Sequence, residues 1–102
     1  MSALVWCPFP DEDSAAAVAT QLLDETLIAC ANIMGPVRAL YDWNGERGDA
    51  REVGVLFKTD GALLAPAMAR LEALHPYETP AIMGWPCAAA PGTAEWLSRL
   101  AK

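Results

Sequence analysis

Ile28-Ala29-Cys30-Ala31-Asn32-Ile33-Met34-Gly35-Pro36-Val37-Arg38-Ala39-Leu40-Tyr41-Asp42-Trp43-Asn44-Gly45 is the stretch on which the fold turns. From Ile28 to Trp43 it is largely apolar and β-prone, interrupted by Gly35-Pro36 in the manner of a bulge or bend. Asn44-Gly45 then suits the left-handed dihedrals of a two-residue hairpin turn, and Val53 to Phe57 read as the return strand. The expectation is a long hairpin of strands two and three.

On the N-terminal side, Leu4-Val5-Trp6-Cys7 is a short strand closed by Pro8-Phe9-Pro10, whose prolines have no N–H for a ladder. Asp11 is placed to cap a helix, and Glu12 and Asp13 put negative charge at the positive end of its dipole. Val18, Leu22 and Leu23, with Ala15 and Ala19, form one apolar stripe through about Leu27. The acidic run reads as capping rather than as a carboxylate cluster for metal or acid–base chemistry. On the C-terminal side, Leu64, Ala67 or Met68, Leu71 and Leu74 share a helical face, with Pro66 in the first turn and Pro76 as the stop. Ala81 to Trp85 reads as a fourth strand and Gly92 to Leu100 as a closing helix. The order β-α-β-β-α-β-α predicts an α+β, ferredoxin-like subunit with an antiparallel sheet and a C-terminal helix, in a single domain over residues 1–102.

Apolar residues make up 54% of the 102 positions and charged residues 20%. A monomer this small has much surface for its volume, so the surplus predicts burial against another subunit. The return strand sharpens this: Val53, Val55 and Phe57 occupy one face and Leu56 the other, while two helices cover only one face of a four-stranded sheet. Subunits packing sheet to sheet would cover the second face. Tyr41 and Trp43, at the hairpin tip, are expected to lie against a neighbouring subunit rather than in water. A net charge of −6 with scattered Lys and Arg argues against nucleic acid. The N-terminal run lacks a basic segment and no apolar stretch approaches the ~18 residues of a membrane helix, so neither secretion nor membrane insertion is expected. Three cysteines without paired spacing suit a reducing compartment, and the expected location is cytoplasmic.

No familiar catalytic centre is spelled out. His75 is the only histidine, and neither a nucleophile elbow nor a phosphate-binding glycine loop occurs. Cys30 and Cys87 read as small hydrophobes; Cys7, at a strand end beside a proline-rich turn, reads equally as an inert or an accessible thiol. His75-Pro76-Tyr77-Glu78-Thr79-Pro80 concentrates imidazole, phenol, carboxylate and hydroxyl between prolines. It is either a polar site or a helix end, with His75 meeting the last carbonyls and the prolines shaping a turn.

Val5-Trp6-Cys7 with Pro10-Asp11-Glu12, Leu27-Ile28-Ala29-Cys30-Ala31-Asn32, Tyr41-Asp42-Trp43-Asn44-Gly45, Glu52-Val53 through Lys58-Thr59, and His75 through Pro80 together resemble the CutA divalent-cation tolerance proteins, almost end to end. The resemblance implies a ferredoxin-like subunit, a tight homotrimer similar in architecture to the PII signalling proteins, and a part in tolerance of copper and other divalent ions without an established reaction. Cys7 and His75 are then the expected metal ligands, a thiolate and an imidazole suited to reduced copper, with no obligatory cofactor. The alternative is a PII-like sensor binding a small anionic ligand at subunit interfaces through Lys58, with Tyr77 and Glu78 in the pocket, and signalling to a protein partner. A ligand-free scaffold, or an enzyme using His75 and Glu78 as acid and base, are further readings. Ala81 stands where the family usually has a glutamate, Arg99 where it usually has a tryptophan, and Trp96 where it usually has a tyrosine. The first departure implies a weaker ligand set and the others a different packing of the last helix.

Overall fold

In the computed structural model, which describes residues 1–102, the chain runs β1 (Ser2–Phe9), α1 (Glu12–Asp24), β2 (Cys30–Trp43), β3 (Glu46–Asp60), α2 (Leu64–Leu74), β4 (Met83–Cys87) and α3 (Pro91–Ser98), with short 3-10 turns at Gly61–Leu63 and Arg99–Ala101. The sheet order is β2-β3-β1-β4 with every neighbouring pair antiparallel, the ferredoxin-like arrangement. Period-two alternation in β1 sends Ala3, Val5, Cys7 and Phe9 to one buried face and Leu4, Trp6 and Pro8 to the other. The first face meets Ala15, Val18, Ala19 and Leu22 of α1 and Ala67 and Leu71 of α2, with Val55 and Phe57 of β3, to form the core. Gly84, opposite Val5, lets α2 approach β4: a Cβ there would lie 2.8 Å from Leu64 Cδ1 and from Met68 Sδ.

Several element ends differ from those expected. α1 stops at Asp24, not near Leu27: Leu27 N–H donates to the Leu22 carbonyl and Thr26 takes φ 55°, a left-handed cap at a residue type that gives no such signal. β4 is Met83–Cys87, two residues later than expected, and α3 gives way to 3-10 geometry at Arg99. β1 does not stop before the prolines; it runs through Pro8 to Phe9, paired with Val53. The reason lies in β4, which ends opposite Trp6 at Met83. The Pro8 carbonyl points to the side β4 has vacated, where His75 donates to it, so its nitrogen faces the same side and no ladder bond is lost.

The hairpin has the expected turn, with Asn44 at φ 51° and Gly45 at φ 80°, and the expected irregularity between Ile33 and Pro36. Its return strand is longer than Val53–Phe57, beginning at Glu46. Because β1 ends opposite Val53, the segment from Val37 to Glu52 projects as a two-stranded arm, and the molecule measures 43 × 24 × 23 Å. Arg38–Asp49 and Arg47–Asp42 ion pairs bridge the arm, but both are exposed and add little. Leu40, Tyr41 and Trp43 stand 66%, 46% and 55% exposed on it. On the sheet face away from α1 and α2, α3 covers only the corner at Ser2, Leu4, Lys58 and Cys87, with Leu97 buried beneath it.

The helix face makes a simple expectation. Leu22→Ala opens a cavity in the core and should cost about 2–5 kcal/mol, whereas Leu23→Ala, on the exposed side of α1, should change stability by less than ~0.5 kcal/mol. Denaturant unfolding of both variants checks the pair; equal losses would contradict the assigned face.

Candidate functional site

The end of β1 and the end of α2 meet at one carbonyl. Pro76 disfavours helical geometry in the residue before it, and His75 accordingly leaves the helix at φ −67°, ψ 140°. Its ring stacks on Phe9, with centroids 4.3 Å apart. Nδ1 accepts from the Tyr77 N–H at 3.0 Å, which assigns the proton to Nε2, and Nε2–H donates to the Pro8 carbonyl at 2.9 Å. The Cys7 thiol is directed to the same oxygen at 3.5 Å. Tyr77 extends the cluster outward: its hydroxyl donates to Glu52 Oε2 at 2.7 Å, at the base of the arm.

Desolvation dominates the electrostatics here. Burial lowers the His75 pKa below 6.5 against the upward pull of the Pro8 carbonyl and Glu52, so the ring is neutral near pH 7. Burial, with the Glu52 charge adding to it, pushes the Cys7 thiol up to about 12. Burial and then the bond to Glu52 raise Tyr77 as well. Each group is therefore neutral, His75 as the singly protonated imidazole and Cys7 and Tyr77 as thiol and phenol, and the cluster contains neither an activated nucleophile nor a ready general acid at neutral pH.

Cys7 and His75 are thus brought together, though as two donors to one carbonyl rather than as an open ligand pair. Cys7 is wholly buried in the core and both imidazole nitrogens are engaged. A metal needs the thiolate and a free ring nitrogen. No group of three or more His, Cys, Asp or Glu side chains is placed to hold an ion. Of the two readings left open for Cys7, its full burial favours the inert, core thiol; Cys30 and Cys87 are half-buried on the opposite sheet face.

Lys58, Tyr77 and Glu78 do not share a pocket within one chain. Lys58 faces Leu4 and the α3 cleft, whereas Tyr77 reaches Glu52, six residues and so roughly 20 Å along β3. Glu78 is exposed. Tyr41 and Trp43 project from the arm. Glu52 and the Pro8 carbonyl were not singled out from the sequence. A glutamate on a strand and a backbone oxygen carry no local signal, and only the approach of the 75–80 segment gives them their part.

Residues 3–99 match the family model described as CutA1 divalent ion tolerance protein. A divalent-cation tolerance protein CutA from Pyrococcus horikoshii is 44% identical over 80 residues, 78% of each chain. One from Thermus thermophilus is 35% identical over 100 residues, 98% of this chain and 95% of its own. Among solved structures, a periplasmic divalent cation tolerance protein CutA from Archaeoglobus fulgidus superposes over 100% of both chains with a TM-score of 0.91 at 26% identity. That relative's compartment differs from the cytoplasmic one expected here; no helix of this chain is long and apolar enough to cross a membrane.

The lowered His75 pKa has a stability consequence. Between the folded value and 6.5 the unfolded chain binds the extra proton, so the contribution of His75 is complete above about pH 6.5 and declines as the pH falls through that window. Denaturant midpoints measured from pH 7.5 to 5.5 should fall less steeply in His75→Gln than in the parent. Parallel profiles would show that His75 does not titrate differently on folding.

Proposed function

This chain belongs to the CutA1 divalent ion tolerance protein family, and from that premise we propose that it acts in the cytoplasm as a non-enzymatic homotrimer, one unit over residues 1–102, that binds or responds to copper and other divalent ions. The observation that carries the assembly is the uncovered sheet face. By strand register Trp6, Leu56, Met83 and Trp85 lie together there, beyond the corner that α3 covers, and Met83 and Trp85 are 60% and 42% exposed. A contiguous apolar face of this kind is a protein interface in ordinary circumstances. The arm adds to it, because a lone two-stranded hairpin is marginal in water and its edges offer unpaired N–H and C=O groups to a neighbour.

For the metal, the support is the convergence of Cys7 and His75 on the Pro8 carbonyl. Reduced copper suits a thiolate and an imidazole. In this reading copper takes the pair only when the His75–Pro8 bond opens and the thiol loses its proton, and Ala81 supplies no carboxylate nearby. Binding is therefore loose, strengthened by a neighbouring subunit if anything completes it. A protein partner that reads the loaded state is part of the same proposal. The absence of catalysis is supported by the protonated Cys7 and the doubly engaged His75.

Two expectations test this reading. Sedimentation at low micromolar concentration should give a mass of three chains. Trp43→Ala should weaken assembly by about 1–2 kcal/mol or more, as a truncated aromatic anchor does, before it unfolds the subunit; a folded monomer, or a variant that assembles undiminished, would refute the interface. In a competition titration under reducing conditions, Cys7→Ser and His75→Ala should each lower copper affinity while the trimer persists. Unchanged affinity in both would remove this pair as the site.

A further inference from the structure

The strip from Pro76 to Thr79 is exposed throughout, is followed by Pro80, and takes part in no backbone–backbone hydrogen bond. Side chains alone hold it. The His75 ring, stacked on Phe9, bonds forward to the Pro8 carbonyl and back to the Tyr77 N–H. The Tyr77 ring, 4.8 Å from the imidazole, reaches on to Glu52 with a 2.7 Å hydrogen bond. Pro8, His75, Tyr77 and Glu52 thus form one continuous line from the buried end of β1 to β3.

Glu52 sits where the sheet becomes the arm. Val53 is the last β3 residue paired with β1, opposite Phe9, and Glu52 pairs only with Val37 across the hairpin. The register shift between Ile33 and Pro36 falls just below that rung, so β2 is a poor brace there. Both ion pairs of the arm, Arg38–Asp49 and Arg47–Asp42, are internal to it. The bond from Tyr77 is therefore the one side-chain hydrogen bond that ties the arm to the rest of the chain.

The donor pattern gives this line two states. In the structure Nε2 carries the imidazole proton and Nδ1 accepts from Tyr77. Nε2 is also the nitrogen beside Cys7, since the two groups approach the Pro8 oxygen at 2.9 and 3.5 Å. A neutral imidazole whose Nε2 is taken by a ligand carries its proton on Nδ1. Nδ1–H then faces the Tyr77 N–H, donor against donor. The strip has no backbone bond to keep it in place, so it turns, and the Tyr77 hydroxyl leaves Glu52.

We propose that His75, Tyr77 and Glu52 form a mechanical link through which engagement of His75 Nε2 loosens the arm. Where copper is what engages Nε2, this rests on the reading of Cys7 and His75 as the metal pair; the link itself belongs to the metal-free chain. Coupling is reciprocal, so whatever frees Tyr77 from Glu52 also makes Nε2 easier to engage. Tyr77 is a positioning residue that restrains the buried pair and the arm together.

Backbone amide exchange over residues 37–52 reads the arm, first in metal-free protein with a chelator present. Tyr77→Phe, which removes only the hydroxyl, should speed that exchange by at least about threefold. His75→Phe, which keeps a ring against Phe9 and removes both nitrogens, should do the same, and the double variant should be no faster than the faster single one. Glu52→Gln keeps an oxygen for the hydroxyl and should stay within about twofold of the parent. An arm unaltered in Tyr77→Phe overturns the link, as do effects that multiply in the double variant. Reduced copper is then titrated. Exchange over 37–52 should quicken in the parent and respond little in Tyr77→Phe, which should bind copper at least about threefold more tightly. A merely structural Tyr77 leaves that affinity unchanged or weaker, and either result overturns the coupling. Copper bound through Cys7 and His75 with a silent arm does so too, while the metal reading stands. If the parent binds no copper at this pair, the metal reading fails and the metal-free comparison decides the link. Should His75→Phe fail to fold, the arm of Tyr77→Phe decides it alone.

Discussion

Strands of unequal length share one sheet, and most of what is distinctive in this molecule follows from that mismatch. β3 has 15 residues, β1 has 8 and β4 has 5. On one side of β1, the surplus of β3 leaves with β2 as the projecting arm. On the other side, the early end of β4 leaves the last residues of β1 without a strand neighbour. There a proline is tolerated, its carbonyl is available, and the end of α2 delivers His75 to it. The arm and the buried cluster are two consequences of one geometric shortfall, joined where Tyr77 reaches Glu52 at the arm's base.

Within that cluster, solvation outweighs charge. Glu52 pulls the His75 pKa up, as does the Pro8 carbonyl, and burial still prevails and lowers it. For Cys7 both influences act in the same direction, and the thiol is held firmly protonated. In a low-dielectric setting an unpaired ion is so unfavourable that groups neutralise instead. The result is a neutral hydrogen bond from His75 Nε2–H to the Pro8 carbonyl that ties the 75–80 segment to β1, distinct from the exposed ion pairs of the arm, which screening leaves nearly neutral in energy. The arm is therefore the weaker half of the subunit when taken alone, and the sheet end carrying His75 is the firmer.

The two faces of the sheet divide the work. One is closed by α1 and α2 over a core of ordinary apolar residues. The other is closed by α3 only at a corner; beyond it Met83 and Trp85 are exposed, with Trp6 and Leu56 half-buried on the same face. A fold with helices on a single face must find a second cover for an apolar sheet, and the excess of hydrophobic residues in this short chain is spent there.

Local chemistry determined the element order, the Asn44-Gly45 turn, the Gly35-Pro36 irregularity, the cap at Asp11 and the stop at Pro76, because each depends on dihedral preference or on hydrogen bonding within a few residues. Periodicity likewise marked Val18, Leu22 and Leu71 as core. The same rules placed strand one's end too early, since a proline's missing donor matters only if a neighbour waits for it, and that neighbour's length is a tertiary fact. They also left the state of Cys7 and of His75 open. Which groups share a carbonyl, which lie roughly 20 Å apart along a strand and which lose water is decided by long-range pairing, and desolvation has no signature in a residue's immediate neighbours. The sequence by itself therefore determined the order of the elements and the alternation of their faces; only the tertiary structure decided that Cys7 and His75 are neutral partners of Pro8, because burial, which sets their protonation, exists only once β1, α2 and the 75–80 segment have met.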